Sequence, residues 1–135
     1  MGRVDAVTMT TRKPPASLKG APYLEEKGVN VDNFMEPTVI FEGSPLEACK
    51  GFPANVNVSA AVSLAGIGPH RMKMRIICDP TINRNIHEVE ASGEFGRSFV
   101  RIENVPSENQ RTGVLTFLSL LALLKNRKAT LVLGT

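Results

Sequence analysis

Between Met72 and Glu103 the chain commits itself to a β-sheet. Met72, Met74, Ile76 and Cys78 alternate with Lys73, Arg75 and Ile77, the period of a strand with one covered face. Asn83 to Ala91 and Phe95 to Glu103 follow with the same alternation, and Ser92-Gly93 is expected to turn one into the other as a hairpin. Three strand segments in close succession exclude an all-helical fold. The rest of the chain must supply the layer that covers them.

That layer is readable in the flanking segments. Arg3 to Arg12 is rich in Val and Thr and ends at Pro14-Pro15, which reads as a further strand. Breakers crowd residues 20 to 37, so a loop with one short helix near Glu25 is expected, followed by a strand over Thr38 to Glu42. Ser44, Pro45 and Glu47 form an N-cap, a first-turn proline and a capping-box partner, announcing a helix to about Gly51. Asn55 to Ala65 is small and apolar, with Val56, Ala60 and Leu64 at helical spacing, and predicts a buried helix stopped by Gly66 and Gly68. Thr112 to Asn126 predicts a long amphipathic helix laid on the sheet, and Leu131 to Leu133 a closing strand. The class is α+β: an open mixed, mainly antiparallel sheet with helices packed on one face, formed by residues 1–135 as a single domain.

Composition narrows the function. With 42% hydrophobic and 21% charged residues the chain is globular, and a net charge of +3 without aromatic interleaving does not describe a nucleic-acid binder. The longest apolar run, Val114 to Leu124, is too short to span a bilayer, and the start lacks signal-peptide architecture, so no membrane association is expected. Cys49 and Cys78 lack metal or redox spacing and read as buried free thiols, which fits a reducing cytoplasm. The G-x-G of AGIGPHR, residues 65 to 71, closes a helix instead of opening one, so it is helix termination and not a dinucleotide turn. No P-loop, nucleophile elbow or metal-ligand pair is present, and His70 reads as a solvated loop residue.

One stretch resists a purely structural account. In INRNIHEVE, residues 82 to 90, period-two geometry puts Asn83, Asn85 and His87 on one sheet face and Arg84, Ile86, Glu88 and Glu90 on the other. Such a row is either a solvated edge, an internal hydrogen-bond network, or a catalytic base with supporting amides. Asn55 is placed to cap the following helix and Asn57 to sit in its first turn, where an amide can face an anion or a carboxamide. The TTRKPP segment, with Thr11 and Lys13, sets hydroxyls and cations at a strand end, where a carboxylate can be held.

Together these segments have a family likeness. DAVTMTTRKPP (5 to 15), VIFEGS (39 to 44), FPANVNVSAAVSLAGIG (52 to 68), DPTINRNIHEVEASGEFG (79 to 96) and ENVPSEN (103 to 109) resemble the C-terminal domain of L-aspartate dehydrogenases over nearly the whole chain. The resemblance implies an oxidoreductase that converts L-aspartate to iminoaspartate with NAD or NADP, in NAD biosynthesis, through a domain that binds substrate and forms a homodimer through its sheet. It further implies that His87 is catalytic and that Asn57 contacts the nicotinamide nucleotide. Asn85, Arg84, Thr11 and Lys13 would then be substrate contacts, with no metal. Residues 1–135 hold no dinucleotide-binding βαβ unit, so the resemblance places the Rossmann domain elsewhere, either removed or supplied in trans. A non-catalytic assembly module that has lost that partner is the alternative.

Overall fold

The computed structural model describes residues 2–105 and 114–126. It divides into two compact units, Met1–Glu103 and Asn104–Thr135. The first holds a five-stranded sheet built from β1 (Val4–Lys13), β2 (Thr38–Gly43), β3 (Lys73–Cys78), β4 (Ile86–Gly93) and β5 (Gly96–Glu103), in the spatial order β2-β3-β1-β4-β5. Helices α1 (Pro22–Glu26), α2 (Pro45–Gly51) and α3 (Asn57–Ala65) fall between the strands. In the second unit the described element is α4 (Val114–Asn126). The closing strand expected over 131–133 lies outside the described residues.

The sheet is α+β and mixed, yet its order differs from three consecutive antiparallel neighbours. β1 inserts between β3 and β4, pairing parallel with β3 and antiparallel with β4. A strand with apolar or small side chains at every second position and no internal proline can donate along both edges, and β1 meets that demand. Its covered face is Val7, Met9, Thr11 and Lys13. Met9 sits against Met74, Thr11 against Ile76 and Lys13 against Cys78, and all six are buried.

Two clusters fill the layer on that face. Leu18, Leu24, Val31, Ala48 and Phe52 pack against Phe41, Met74 and Ile76, while Val7, Met9 and Met72 gather Val62, Ile67 and Val89. Tyr23, Phe41 and Phe52 form an aromatic trio with ring centroids 5.3 to 5.7 Å apart, which ties α1 and α2 to β2. The capping box at α2 is present as expected: Glu47 N–H donates to Ser44 Oγ, and Ser44 N–H donates to Glu47 Oε2.

Three local expectations need correction. The hairpin turns at Glu94-Phe95 instead of Ser92-Gly93, because Gly96 takes the positive φ of +102° and Gly93 is needed as a strand residue. There a Cβ would come within 2.1 Å of the Arg3 carbonyl oxygen, so only glycine lets β4 approach the start of β1. Helix α3 begins at Asn57 after a 3-10 turn over Pro53–Asn55, and the residue at its N-cap position is Val56. Its buried helical side chains are Ser59 and Ser63, whose hydroxyls satisfy themselves on Val56 and Ala60 carbonyls, while Leu64 is 82% exposed. Small size, not hydrophobicity, decides which face of α3 packs. Finally, β4 starts at Ile86, so Asn83 and Asn85 precede the ladder. The carboxylate of Asp79 accepts from both the backbone N–H and the hydroxyl of Thr81, and that turn takes the chain out of extended geometry.

Gly93→Ala is expected to lower unfolding free energy by about 2 kcal/mol or more, as overpacking against backbone does. A urea melt showing less than about 0.5 kcal/mol of loss would contradict the close approach of β4 to β1.

Candidate functional site

The register of β1 and β4 builds the site. Thr11 stands directly opposite His87, so their side chains leave the sheet on the same face. Thr11 Oγ1 lies 3.1 Å from His87 Nδ1. Thr11 is 1% exposed and His87 8%, which excludes the solvated edge and leaves a buried polar pair. The ladder's last rung is Arg12 against Ile86, so Lys13 and Asn85 lie just beyond it. Lys13 is 6% exposed, and its carbonyl accepts from the Asp79 N–H, which extends the β1–β3 pairing past the strand ends.

The electrostatics of this block are unusual for a sheet face. Burial pushes the His87 pKa down to about 4, and the nearby Lys13 cation adds to the effect. Burial alone brings Lys13 down to about 8. The ring is therefore neutral at pH 7, while Lys13 remains mostly charged. Asn85 Oδ1 is buried and, among the described residues, meets no hydrogen-bond donor. An orphaned acceptor of this kind costs on the order of 1 to 3 kcal/mol, which a ligand N–H or O–H would recover.

The other face of the same strands is paired. Arg12 lies 3.5 Å from Glu88 and 4.0 Å from Asp79, and Arg101 also reaches Glu88. Structural ion pairs and the titratable His87–Lys13 pair are thus separated by the pleat.

Of the residues singled out in the sequence, the structure brings Thr11, Lys13 and His87 together, with Asn85 just before β4. Arg84 is half-buried in the turn before β4 and donates to Asn83 Oδ1. Asn57 opens α3 with an exposed side chain, and Asn83 is exposed. His70 is a turn residue and exposed, and the AGIG segment ends α3 as expected, with the Gly68 N–H donating to the Ser63 carbonyl. Cys78 is buried and Cys49 half-buried, and both are free thiols. The direct contact of Thr11 with the ring was not visible beforehand, since only strand register joins residues 76 positions apart. Asp79, 4% exposed, is the other residue missed, and the D-P-T turn pattern was its available signal.

Among the described residues no helix is long and apolar enough to cross a membrane.

Acidification tests the electrostatics. A histidine whose folded pKa lies below its unfolded value leaves stability intact above about 6.5. That stability is lost as pH falls towards 4, because the unfolded chain takes up the proton first. The loss attributable to the ring is up to about 3 kcal/mol. His87→Gln should therefore flatten the stability profile between pH 6.5 and 4. Lys13→Met should raise the His87 titration seen by NMR, though only partway, since burial is the larger cause. An unmoved titration would remove Lys13 from the pocket's electrostatics.

A family model described as "Aspartate dehydrogenase, C-terminal" matches residues 1–127. The L-aspartate dehydrogenase of Bradyrhizobium diazoefficiens is 48% identical over 135 residues, covering 100% of this chain and 48% of that protein. That of Methanosarcina barkeri is 50% identical over 131 residues, covering 96% and 48%. A crystal structure of aspartate dehydrogenase from Thermotoga maritima superposes with a TM-score of 0.73 at 34% identity, covering 97% of this chain and 47% of that one. The chain thus spans about half the length of the relatives it matches.

Proposed function

The chain belongs to the aspartate dehydrogenase C-terminal family, and from that premise we propose that residues 1–135 form the substrate and catalytic domain of an NAD- or NADP-dependent L-aspartate dehydrogenase. The reaction oxidises L-aspartate to iminoaspartate, which water converts to oxaloacetate and ammonia, and it serves NAD biosynthesis in the cytoplasm. The observation that carries this reading is the buried, neutral His87 beside Lys13 and the unpartnered Asn85 carbonyl.

The described residues fit one end of a dinucleotide and not the whole of it. An exposed amide at the start of α3, Asn57, suits the nicotinamide nucleotide, while no strand–glycine turn–helix unit among the described residues would hold the pyrophosphate. A Rossmann domain elsewhere therefore completes the site. When bound, the nicotinamide supplies the acceptor for the hydride that leaves the substrate Cα.

The chain's own residues do the rest. Lys13, mostly protonated at neutral pH, attracts a substrate carboxylate in a buried setting where charge-assisted bonds are strong. Asn85 Oδ1 accepts from the substrate's ammonium group. Arg84 stands in the adjoining turn for the second carboxylate. His87, unprotonated at the outset, takes a proton from the ammonium or from the water that adds to the imine. A carboxylate bound near the ring offsets the Lys13 cation and raises the ring's proton affinity, which makes it a better base once substrate is present.

A second reading, an assembly module, is favoured by one observation. β5 is exposed along its whole length and carries Phe99 at 58%, Val100 at 50% and Ile102 at 40% exposure. We place a homodimer contact on this part of the sheet, a role compatible with catalysis. Sedimentation is expected to give a dimer at micromolar concentration, and a monomer there would exclude it.

The decisive assay combines the chain with the N-terminal domain of the Bradyrhizobium relative and follows reduced nucleotide formed from L-aspartate. His87→Ala should lower kcat by about 10²- to 10⁴-fold. Equal turnover in the variant would sink the catalytic assignment.

A further inference from the structure

We infer that Thr11 is a positioning residue for this site: its hydroxyl accepts the Nδ1–H of His87, leaving Nε2 unprotonated and directed at the substrate. This rests on the proposed reading of His87 as a base, and it gives Thr11 a part that a substrate contact would not have.

The geometry carries the assignment. Thr11 and His87 are directly opposed on antiparallel strands, with 3.1 Å between Oγ1 and Nδ1. Both side chains are buried, so neither the hydroxyl nor Nδ1 has ready access to bulk water as a substitute. Threonine is β-branched and stiff at χ1, which holds the oxygen in one place without a mobile stem. β1 is paired along both edges, so the oxygen is anchored to the central strand of the sheet.

The chemistry follows from counting protons. A neutral imidazole has one N–H, and which nitrogen bears it depends on the hydrogen bond that the other makes. A threonine hydroxyl can accept or donate. If it donated to Nδ1, the proton would sit on Nε2 and that nitrogen would have no lone pair for a substrate proton. With the hydroxyl accepting, Nδ1 keeps its proton and Nε2 is the base. When Nε2 takes up the substrate proton, the ring becomes an imidazolium whose Nδ1–H bond to Thr11 is already in place. No reorientation is needed during the transfer.

The test reads the ring itself. In ¹⁵N NMR of the full chain near pH 7, His87 is expected as one tautomer with Nδ1 protonated and Nε2 bare. Thr11→Val keeps the shape and removes the oxygen, and should move the ring towards a mixture or towards the Nε2–H form. Thr11→Ser should restore the original tautomer. A wild-type ring protonated on Nε2, or a Thr11→Val spectrum and titration identical to wild type, would overturn the inference. The wild-type and Thr11→Ser spectra decide the matter even if Thr11→Val does not fold.

With the nucleotide-binding domain added, Thr11→Val should reduce kcat for L-aspartate by up to about 100-fold. Its KM should change less than about threefold, and serine should rescue the rate. A raised KM with kcat preserved would make Thr11 a substrate contact and refute the positioning role. Should no variant or wild type turn over aspartate, the proposed function fails, while the tautomer measurement still stands or falls by itself.

Discussion

Everything in the first unit depends on the double pairing of β1. Its parallel partner and its antiparallel partner together dictate which of its side chains face the covered layer, and that choice is all or nothing. A slip of one residue would send Thr11 and Lys13 to the far face and bring Arg12 and Thr10 inward. The irregularity in the β1–β4 ladder, between Val4 and Ala6, is confined to the far end of the strand. From Val7 to Arg12 the ladder to β4 runs without interruption, and the Thr11–His87 rung lies within that regular stretch. Gly93 contributes from a distance by letting β4 close onto the beginning of β1 without a steric barrier.

On this frame the pleat does the electrostatic sorting. Successive residues on β1 and β4 alternate between an ion-paired face and a face that holds a cation and an imidazole out of water. Arg12 and Glu88 pair in the ordinary way of a sheet surface. Lys13 and His87, each one residue along, sit where charge is costly and proton affinities shift. Such an arrangement is poor design for stability alone, since a leucine pair would serve better. Shifted proton affinities of this kind gather at functional sites.

Much of this was legible in the sequence. The Ser44-Pro45-Glu47 cap, the alternation of Met72 to Cys78 and the helix stop at Gly66 each follow from local chemistry, and local chemistry is what a linear sequence exposes. His87 could be singled out because an imidazole is out of place in strand-like surroundings, and Lys13 because it sets a cation at a strand end. What could not be read is everything that depends on pairing. The insertion of β1 between β3 and β4, and with it the meeting of Thr11 and His87, is decided by segments far apart in sequence. Asn83 and Asn85 misled for a nearer reason: their alternation fits a strand, but the Asp79–Thr81 turn prevails over propensity there. In α3 the hydrophobic spacing pointed to Leu64, whereas the interior accepted the serines, which are small enough and bond their own helix.

The central place of β1 also has a consequence for biosynthesis. Within this sheet it is the earliest strand in chain order, yet the segments that flank it, residues 73–78 and 86–93, come much later. Until then a Val- and Thr-rich ribbon has two open edges, the kind of surface that nascent chains and chaperones recognise. Contacts so distant along the chain form slowly, because the intervening loop must close first. The Thr11–His87 contact is thus among the last features to be assembled, and a chain interrupted before β4 would have most of its helices but no imidazole opposite Thr11.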